Sequence, residues 1–126
     1  MTTRIEGREK TAGPLSPAVF HILLALSDGE KHGYAIMRDV ESLGDGRVRL
    51  GPGTLYGAIK RMLAAGLIEE SDERPAPDLD DERRRYYRLT RWGGQALVAE
   101  AERLSTLART ARARVAAGPT LGLGRA

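Results

Sequence analysis

Two neighbouring cations, Lys60 and Arg61, lie in a segment whose spacing is typical of an amphipathic helix. The segment begins at Pro52, which suits a first helical position because no N–H is needed there and its φ is already helical. Its apolar residues form one stripe: Leu55, Ile59, Met62 and Leu63. The opposite face has small residues near its start, then the two cations, and no acid. Such a face can lie in a DNA groove without meeting like charge, although the solvated face of an ordinary helix has the same pattern.

A β-hairpin is predicted directly after this helix. Gly66 suits the position that ends a helix, and residues 67–68 begin a short strand. The polar stretch 71–82 contains two prolines and excludes helix and central strand, whereas residues 83–89 alternate with a period of two. Thr90 is a suitable N-cap for a further helix. Two strands joined by a polar loop, after a helix with a positive face, predict a wing.

Three further helices complete the pattern. The first is predicted from residue 17 to about 26, with Ser16 as its N-cap. The second is predicted from about 32 to 43, with Tyr34 among its apolar positions. The last is predicted from 91 to 117, where Gly118-Pro119 ends it. The fold class is therefore mainly α with a small β-hairpin. It is a winged helix-turn-helix followed by a long C-terminal helix, and the third helix is the one expected in the major groove.

Four short motifs are weak signals alone and specific together: His32-Gly33-Tyr34, Gly53-Thr54-Leu55-Tyr56, Gly66-Leu67-Ile68, and Tyr86-Tyr87-Arg88-Leu89-Thr90 with Gly93. In this order and spacing, over roughly residues 15–94, the chain resembles the PadR family of transcriptional regulators. The resemblance implies a dimeric repressor without enzymatic activity that binds an inverted-repeat operator. It also implies that a small-molecule effector can release the DNA, as in many members of the family.

Eight residues are predicted to bind DNA. Thr54 and Tyr56 lie in the first turns of the third helix, where a hydroxyl can reach a base edge or the backbone. His32 lies at the start of the second helix, whose free N–H groups suit a phosphate, although it can equally cap the turn. The cations of the third helix can read guanine or neutralise phosphate, and the wing arginines can hold the minor groove. The full set is His32, Thr54, Tyr56, Lys60, Arg61, Arg83, Arg84 and Arg85.

The last helix has a seam suited to pairing with a second copy of the chain. Its apolar residues alternate steps of four and three: Leu97, Ala101, Leu104, Ala108, Ala111 and Val115. The alanines allow close approach of two helices, and Leu107 widens the apolar face. Phe20, on an almost wholly apolar first helix, is also assigned to the homodimer interface. The alternative is that the last helix folds back on its own domain.

The length of 126 residues predicts one folded domain with short extensions. We expect a flexible N-terminal arm over residues 1–14 and the winged-helix DNA-binding domain over residues 15–90. The dimerisation helix follows over residues 91–117, and residues 118–126 form a flexible tail. These boundaries rest on the polar composition of the two ends and on the proline and glycine residues that flank the helices.

Composition excludes several classes of function. The absence of cysteine excludes disulfides and thiolate metal sites, and two histidines are too few for a histidine cluster, so no metal or cofactor is expected. No Cys–His pair, Ser–His–Asp set or phosphate loop in the right context is present, so no enzyme is expected. No apolar run suits a secretory signal or a membrane span, which predicts a cytoplasmic protein without a membrane partner.

Two features of the sequence leave alternatives open. The acidic stretch from Asp78 to Glu82 would repel phosphate at a minor groove, which favours an alternative function: a winged-helix protein–protein interaction module without DNA binding. We expect instead that these acids point into solvent beyond the arginines. Trp92, the only tryptophan, lies near the expected dimer contact and is a candidate contact for a planar effector. The interpretation we favour is that Trp92 fills the junction between the wing and the last helix.

Overall fold

The computed structural model describes residues 14–44, 46–71 and 85–118, which contain four helices and a small sheet. The elements are α1 (Pro17–Leu26), β1 (Lys31–His32), α2 (Gly33–Leu43), α3 (Pro52–Ala64), β2 (Ile68–Glu70), β3 (Tyr86–Leu89) and α4 (Arg91–Ala117). The predicted fold class is confirmed, because three helices precede the β2–β3 hairpin and a long helix follows it. Residues 1–13 of the predicted arm, residues 119–126 of the predicted tail, the acidic stretch, Arg83 and Arg84 lie outside the described residues.

The sheet has the strand order β1-β3-β2, and both pairs are antiparallel. Tyr87 in the central strand β3 lies opposite Glu70 of β2 on one side and opposite Lys31 of β1 on the other. The sequence did not predict β1, because two residues are too few to show the alternation on which a strand prediction depends. As a result, the chain entering α2 is paired with Tyr86 and Tyr87, the first two residues of β3.

The helices begin and turn where their local chemistry predicts. Ser16 Oγ accepts a hydrogen bond from the backbone N–H of Val19 at 3.2 Å, and Thr90 Oγ1 accepts one from Gly93 at 3.0 Å. Both predicted N-caps are therefore confirmed. After α3 the chain reverses at Gly66, whose φ of +78° lies in the left-handed region that favours glycine.

One apolar core surrounds α1, which contacts α2, α3, α4 and β3. The buried apolar side chains are Ile22, Leu23, Ala25, Leu26, Ile36, Val40, Leu55, Ala58, Ile59, Met62, Leu67, Ile68, Tyr87, Ala96 and Leu97. Phe20 is half-buried and packs against this core. His21 Nδ1 lies 2.7 Å from the carbonyl oxygen of Pro17, as expected for a structural histidine. Leu97, the first residue of the predicted dimer seam, is buried within its own subunit.

A buried acid, Glu100, lies on α4 at the point where the helix leaves the domain. Its side chain is only 5% exposed and accepts hydrogen bonds from Arg103 Nε at 3.1 Å and Nη2 at 2.5 Å. These hydrogen bonds hold the pKa of Glu100 below its ordinary value; desolvation opposes them, and the backbone N–H of Leu15 assists. Beyond Glu100, residues 101–117 are exposed except for Ala108, which is half-buried. The start of α4 therefore belongs to the domain, whereas the rest projects from it.

Candidate nucleic-acid interface

The α3 helix separates an apolar face from a cationic one, as its spacing predicts. Leu55, Ile59 and Met62 are at most 2% exposed, because they pack into the core beneath α1 and α2. On the opposite face Lys60 and Arg61 are exposed. α3 contains no acid, so no opposite charge within the helix neutralises this face.

The outer face of α3 is also narrow near its start. Among the described residues, a Cβ atom built on Gly53 would have no atom within 4 Å, and one built on Gly57 would meet only Arg61 Nη1, at 3.7 Å. Thr54 is exposed beside these glycines. No side chain or backbone of the described residues therefore requires a glycine at either position.

Tyr56 locks α3 against the start of α2. A Cβ atom at Gly33 would lie 2.3 Å from Tyr56 Oη and 2.9 Å from its Cε1, so the tyrosine ring occupies the space that a side chain would fill. Tyr87 lies near Tyr56, and its pKa is raised above its ordinary value. The main cause is the burial of Tyr87 itself, and the nearby Glu70 carboxylate and Tyr56 contribute less. Tyr56 is 37% exposed, so part of its side chain still faces solvent.

His32 is the N-cap of α2. Its Nδ1 accepts a hydrogen bond from the backbone N–H of Ala35 at 3.2 Å, which is the capping role that the sequence left open beside phosphate binding. Its ring also stacks on Tyr34 at a centroid distance of 6.5 Å and meets the edge of Tyr86 at 5.4 Å. His32 thus connects the start of α2 to the wing strand β3.

Sequence reasoning missed the exposure of Tyr34, which was assigned to the apolar face of α2. Its side chain is 58% exposed, and the guanidinium carbon of Arg38 lies 5.7 Å from the centroid of its ring. A distance of this size is typical of a cation–π contact. The spacing of four residues on one helix could have indicated this pair, since such residues lie on the same face.

At the base of the wing, two arginines pair with acids of β2. Arg85 Nη1 lies 3.0 Å from Glu70 Oε2, and Arg88 Nε lies 2.8 Å from Glu69 Oε2. Arg85 was predicted to bind DNA, and its side chain remains 43% exposed despite this pairing. The acids of β2 therefore offset part of the positive charge of the wing strand.

The turn after α3, at Gly66 and Leu67, is hydrogen-bonded to the start of α4. Thr90 Oγ1 donates to the carbonyl oxygens of Gly66 at 2.6 Å and Leu67 at 3.1 Å, and the backbone N–H of Thr90 also donates to Leu67 at 3.1 Å. A Cβ atom on Gly93 would lie only 1.9 Å from that Leu67 oxygen. Trp92 is half-buried beside this junction and packs against the core. The turn after α3 and the start of α4 thus share a tight backbone contact.

The model of the "Transcriptional regulator PadR-like family" matches residues 22–99, which is more than half of the chain. The chain belongs to this family. Among curated relatives of this PadR-like protein, the transcriptional regulator Rv3488 of Mycobacterium tuberculosis is 37% identical over 89 residues, which cover 71% of this chain and 77% of that protein. An uncharacterized 37.1 kDa protein in transposon TN4556 of Streptomyces fradiae is 38% identical over 86 residues. That match covers 68% of this chain and only 22% of the transposon protein.

The fold agrees with the family assignment. The crystal structure of a PadR family transcription regulator from Clostridium difficile R20291 matches with a TM-score of 0.64 at 23% identity, covering 79% of this chain and 99% of that one. The family is one of transcriptional regulators rather than enzymes. Within the described ranges, no helix has the length and apolarity needed to cross a lipid bilayer. The same residues contain no cluster of three or more histidine or acidic side chains that could hold a metal ion.

Proposed function

We propose that this PadR-like regulator is a homodimeric repressor that binds an inverted-repeat operator through two copies of α3. The observation that carries the proposal is the outer face of α3, which is narrow at Gly53 and Gly57 and cationic at Lys60 and Arg61. A two-fold axis would place the two helices about 34 Å apart, in successive major grooves. Thr54 lies at the narrow end, where it can reach a base edge or a phosphate.

The glycines support this proposal on energetic grounds. A glycine in a helix interior, such as Gly57, lowers helix stability by about 1 kcal/mol relative to alanine. Because a Cβ at Gly57 would meet only Arg61 Nη1 among the described residues, no internal packing compensates for this loss. Two small residues one turn apart are explained if an external surface approaches α3 closely, and the floor of a DNA groove is such a surface.

Gly57→Ala should raise the free energy of unfolding by about 1 kcal/mol and weaken operator binding about tenfold, because the added methyl group separates the helix from the groove. Urea denaturation and fluorescence anisotropy with a selected duplex measure the two effects. Gly94→Ala on α4, where a Cβ meets no atom of the described residues within 4 Å, is the matched control and should gain similar stability without losing affinity. Unchanged affinity of Gly57→Ala would show that DNA does not approach this part of α3.

The exposed part of α4 supports the homodimer. Leu104, Leu107 and Val115 are 41%, 53% and 69% exposed, and they lie on the projecting part of a 27-residue helix. Ala101 and Ala111 are exposed on the same seam. Pairing with the same helix of a second subunit would bury this face. The half-buried side of α1 that includes Phe20 lies on a neighbouring element and can extend the interface.

Leu104→Glu should weaken dimerisation at least about 100-fold, because an unpaired carboxylate would be buried in the seam. Thr106→Glu is the matched control, since it adds the same charge in the same helical turn on the opposite face. Sedimentation velocity over a concentration series measures both variants. If Leu104→Glu stays as dimeric as Thr106→Glu, the seam is not the dimer interface.

Selection from sheared genomic DNA of the source organism tests operator binding. The purified full chain should enrich fragments that share an inverted repeat, and its affinity for the recovered duplex should fall steeply as salt rises, because phosphate contacts release counterions. The alternative function, a winged-helix module for protein contact, is favoured by the acids Glu69 and Glu70 at the wing base. Absence of enrichment, together with no binding to any duplex at low salt, would support that alternative and overturn the repressor proposal.

Release by a small-molecule effector is a further part of the proposal and rests on the family alone. Trp92, half-buried at the start of α4, is positioned to report such binding through its fluorescence. A screen of planar aromatic compounds would compare this signal with DNA release. Compounds that release DNA without changing the fluorescence would exclude Trp92 as the effector contact.

A further inference from the structure

We propose that Tyr34 and Arg38 on α2 form a phosphate clamp, in which the tyrosine ring positions the arginine guanidinium against the DNA backbone beside the groove that α3 enters. This inference rests on the proposed function and adds two contact residues to it. Here "phosphate clamp" means these two side chains only.

The geometry of the clamp is an ordered stack on an exposed surface. The His32 ring lies nearly parallel to the Tyr34 ring, at an interplanar angle of 16°, and the Arg38 guanidinium lies on the Tyr34 ring, 5.7 Å from its centroid. His32 is itself fixed by its hydrogen bond to Ala35 and by the edge of Tyr86. The Tyr34 ring, stacked on the anchored His32 ring, therefore restricts an arginine that would otherwise sample many rotamers. A planar guanidinium held in this way is suited to phosphate oxygens.

The charge of Arg38 is available to an external anion. Within residues 14–44, 46–71 and 85–118, no carboxylate forms an ion pair with Arg38. Glu41 and Arg38 line the same surface groove, and the Glu41 carboxylate pairs with Arg49 Nε at 3.1 Å. Asp39 lies 3.8 Å from Lys31 Nζ. The nearby acids of α2 are thus engaged with other cations, and Arg38 contributes positive charge to this surface.

The clamp is continuous with the outer face of α3. Tyr34 directly follows Gly33, and the Tyr56 ring of α3 lies on Gly33. The start of α2 is therefore adjacent to the first turns of the recognition helix. In helix-turn-helix proteins the helix before the recognition helix crosses the DNA backbone. Charge complementarity and this continuity favour the sugar-phosphate backbone as the occupant.

The test uses the full-length chain and two probes of equal length: the duplex recovered by genomic selection and a duplex of mixed, unrelated sequence. Arg38→Ala should weaken binding to both probes about tenfold at fixed salt, because a phosphate contact does not depend on sequence. It should also lower the salt slope by about one per subunit. Arg109→Ala, an exposed arginine on α4, is the control for loss of charge alone.

The tyrosine is tested by a double-mutant cycle. Tyr34→Ala should weaken binding to both probes severalfold when Arg38 is present and have no effect when Arg38 is already alanine, because its role is to position the guanidinium. Tyr34→Phe, which keeps the ring, should bind like the wild type. Because Tyr34 is largely exposed, these variants retain the core.

The outcomes separate the clamp from the proposed function. If Arg38→Ala binds both probes like Arg109→Ala, the clamp is wrong while operator binding stands. If Arg38→Ala weakens only the selected duplex, Arg38 reads bases and the phosphate assignment is overturned. Additive effects of Tyr34→Ala and Arg38→Ala would overturn the positioning role of the tyrosine. If the wild type binds neither probe at low salt, the proposed function fails, and the clamp fails with it.

Discussion

Gly93→Ala should lower the free energy of unfolding by about 3 kcal/mol or more, because a methyl group cannot fit between α4 and the end of α3. The Cβ atom would lie 1.9 Å from the carbonyl oxygen of Leu67 and 2.9 Å from its carbon. Leu67 cannot move freely, since its oxygen accepts hydrogen bonds from the N–H and the hydroxyl of Thr90. Overpacking costs about 1–3 kcal/mol, and each weakened hydrogen bond adds about 1 kcal/mol.

Gly94→Ala is the control for this effect, because it makes the same substitution one residue further along α4. Within the part of the chain that the structure describes, a Cβ at Gly94 meets nothing within 4 Å, so this variant should gain about 1 kcal/mol from helix propensity. Urea denaturation of both variants at one protein concentration measures the difference. If the two substitutions changed stability in the same direction, the contact between Gly93 and Leu67 would not be a tight one.

The elements of the fold that obey local rules could be predicted from the sequence. Ser16 and Thr90 cap helices through their own hydroxyls, Pro52 occupies a first helical turn, and Gly66 adopts a positive φ. Each of these features depends on a few neighbouring residues, so a short segment of the sequence is enough to predict it. The stripe of α3 also has the period of the helix, which is why its buried and exposed faces were predicted correctly.

The features that depend on distant parts of the chain could not be predicted. Tyr56 fills the space above Gly33, and Gly93 approaches Leu67, yet neither pair is close in sequence. Glu100 is only 5% exposed although glutamate is usually exposed, and its partner Arg103, one turn away on the same helix, does not by itself bury it. Such contacts form only when the helices pack together in the folded domain, so local patterns in a single sequence cannot predict them.

The same limit applies to the candidate interface. The seam of α4 was predicted as one continuous stripe, but its first member, Leu97, is used by the core of its own subunit. Tyr34 was assigned to the apolar positions of α2, but its side chain is exposed instead of buried. Periodicity identifies faces, whereas the tertiary structure decides which end of a face is covered.

Lys60→Ala combined with Arg61→Ala should weaken operator binding at least about 100-fold while leaving the dimer intact. Each base or phosphate contact of this kind contributes about 1–3 kcal/mol, and a dimer loses every contact twice. Both side chains are exposed on α3, so their removal leaves the core unchanged. Anisotropy titration at fixed salt measures the affinity, and sedimentation velocity measures the oligomeric state.

Arg109→Ala combined with Arg112→Ala removes the same formal charge from α4 and distinguishes a specific contact from a loss of overall positive charge. Both arginines are exposed on the projecting helix. If α3 enters the groove, the α3 pair should lose far more affinity than the α4 pair, and the salt slope should fall mainly for the α3 pair because its charges neutralise phosphates directly. Equal losses of affinity for the two double variants would mean that DNA binding depends only on net charge, in which case α3 is not the recognition helix.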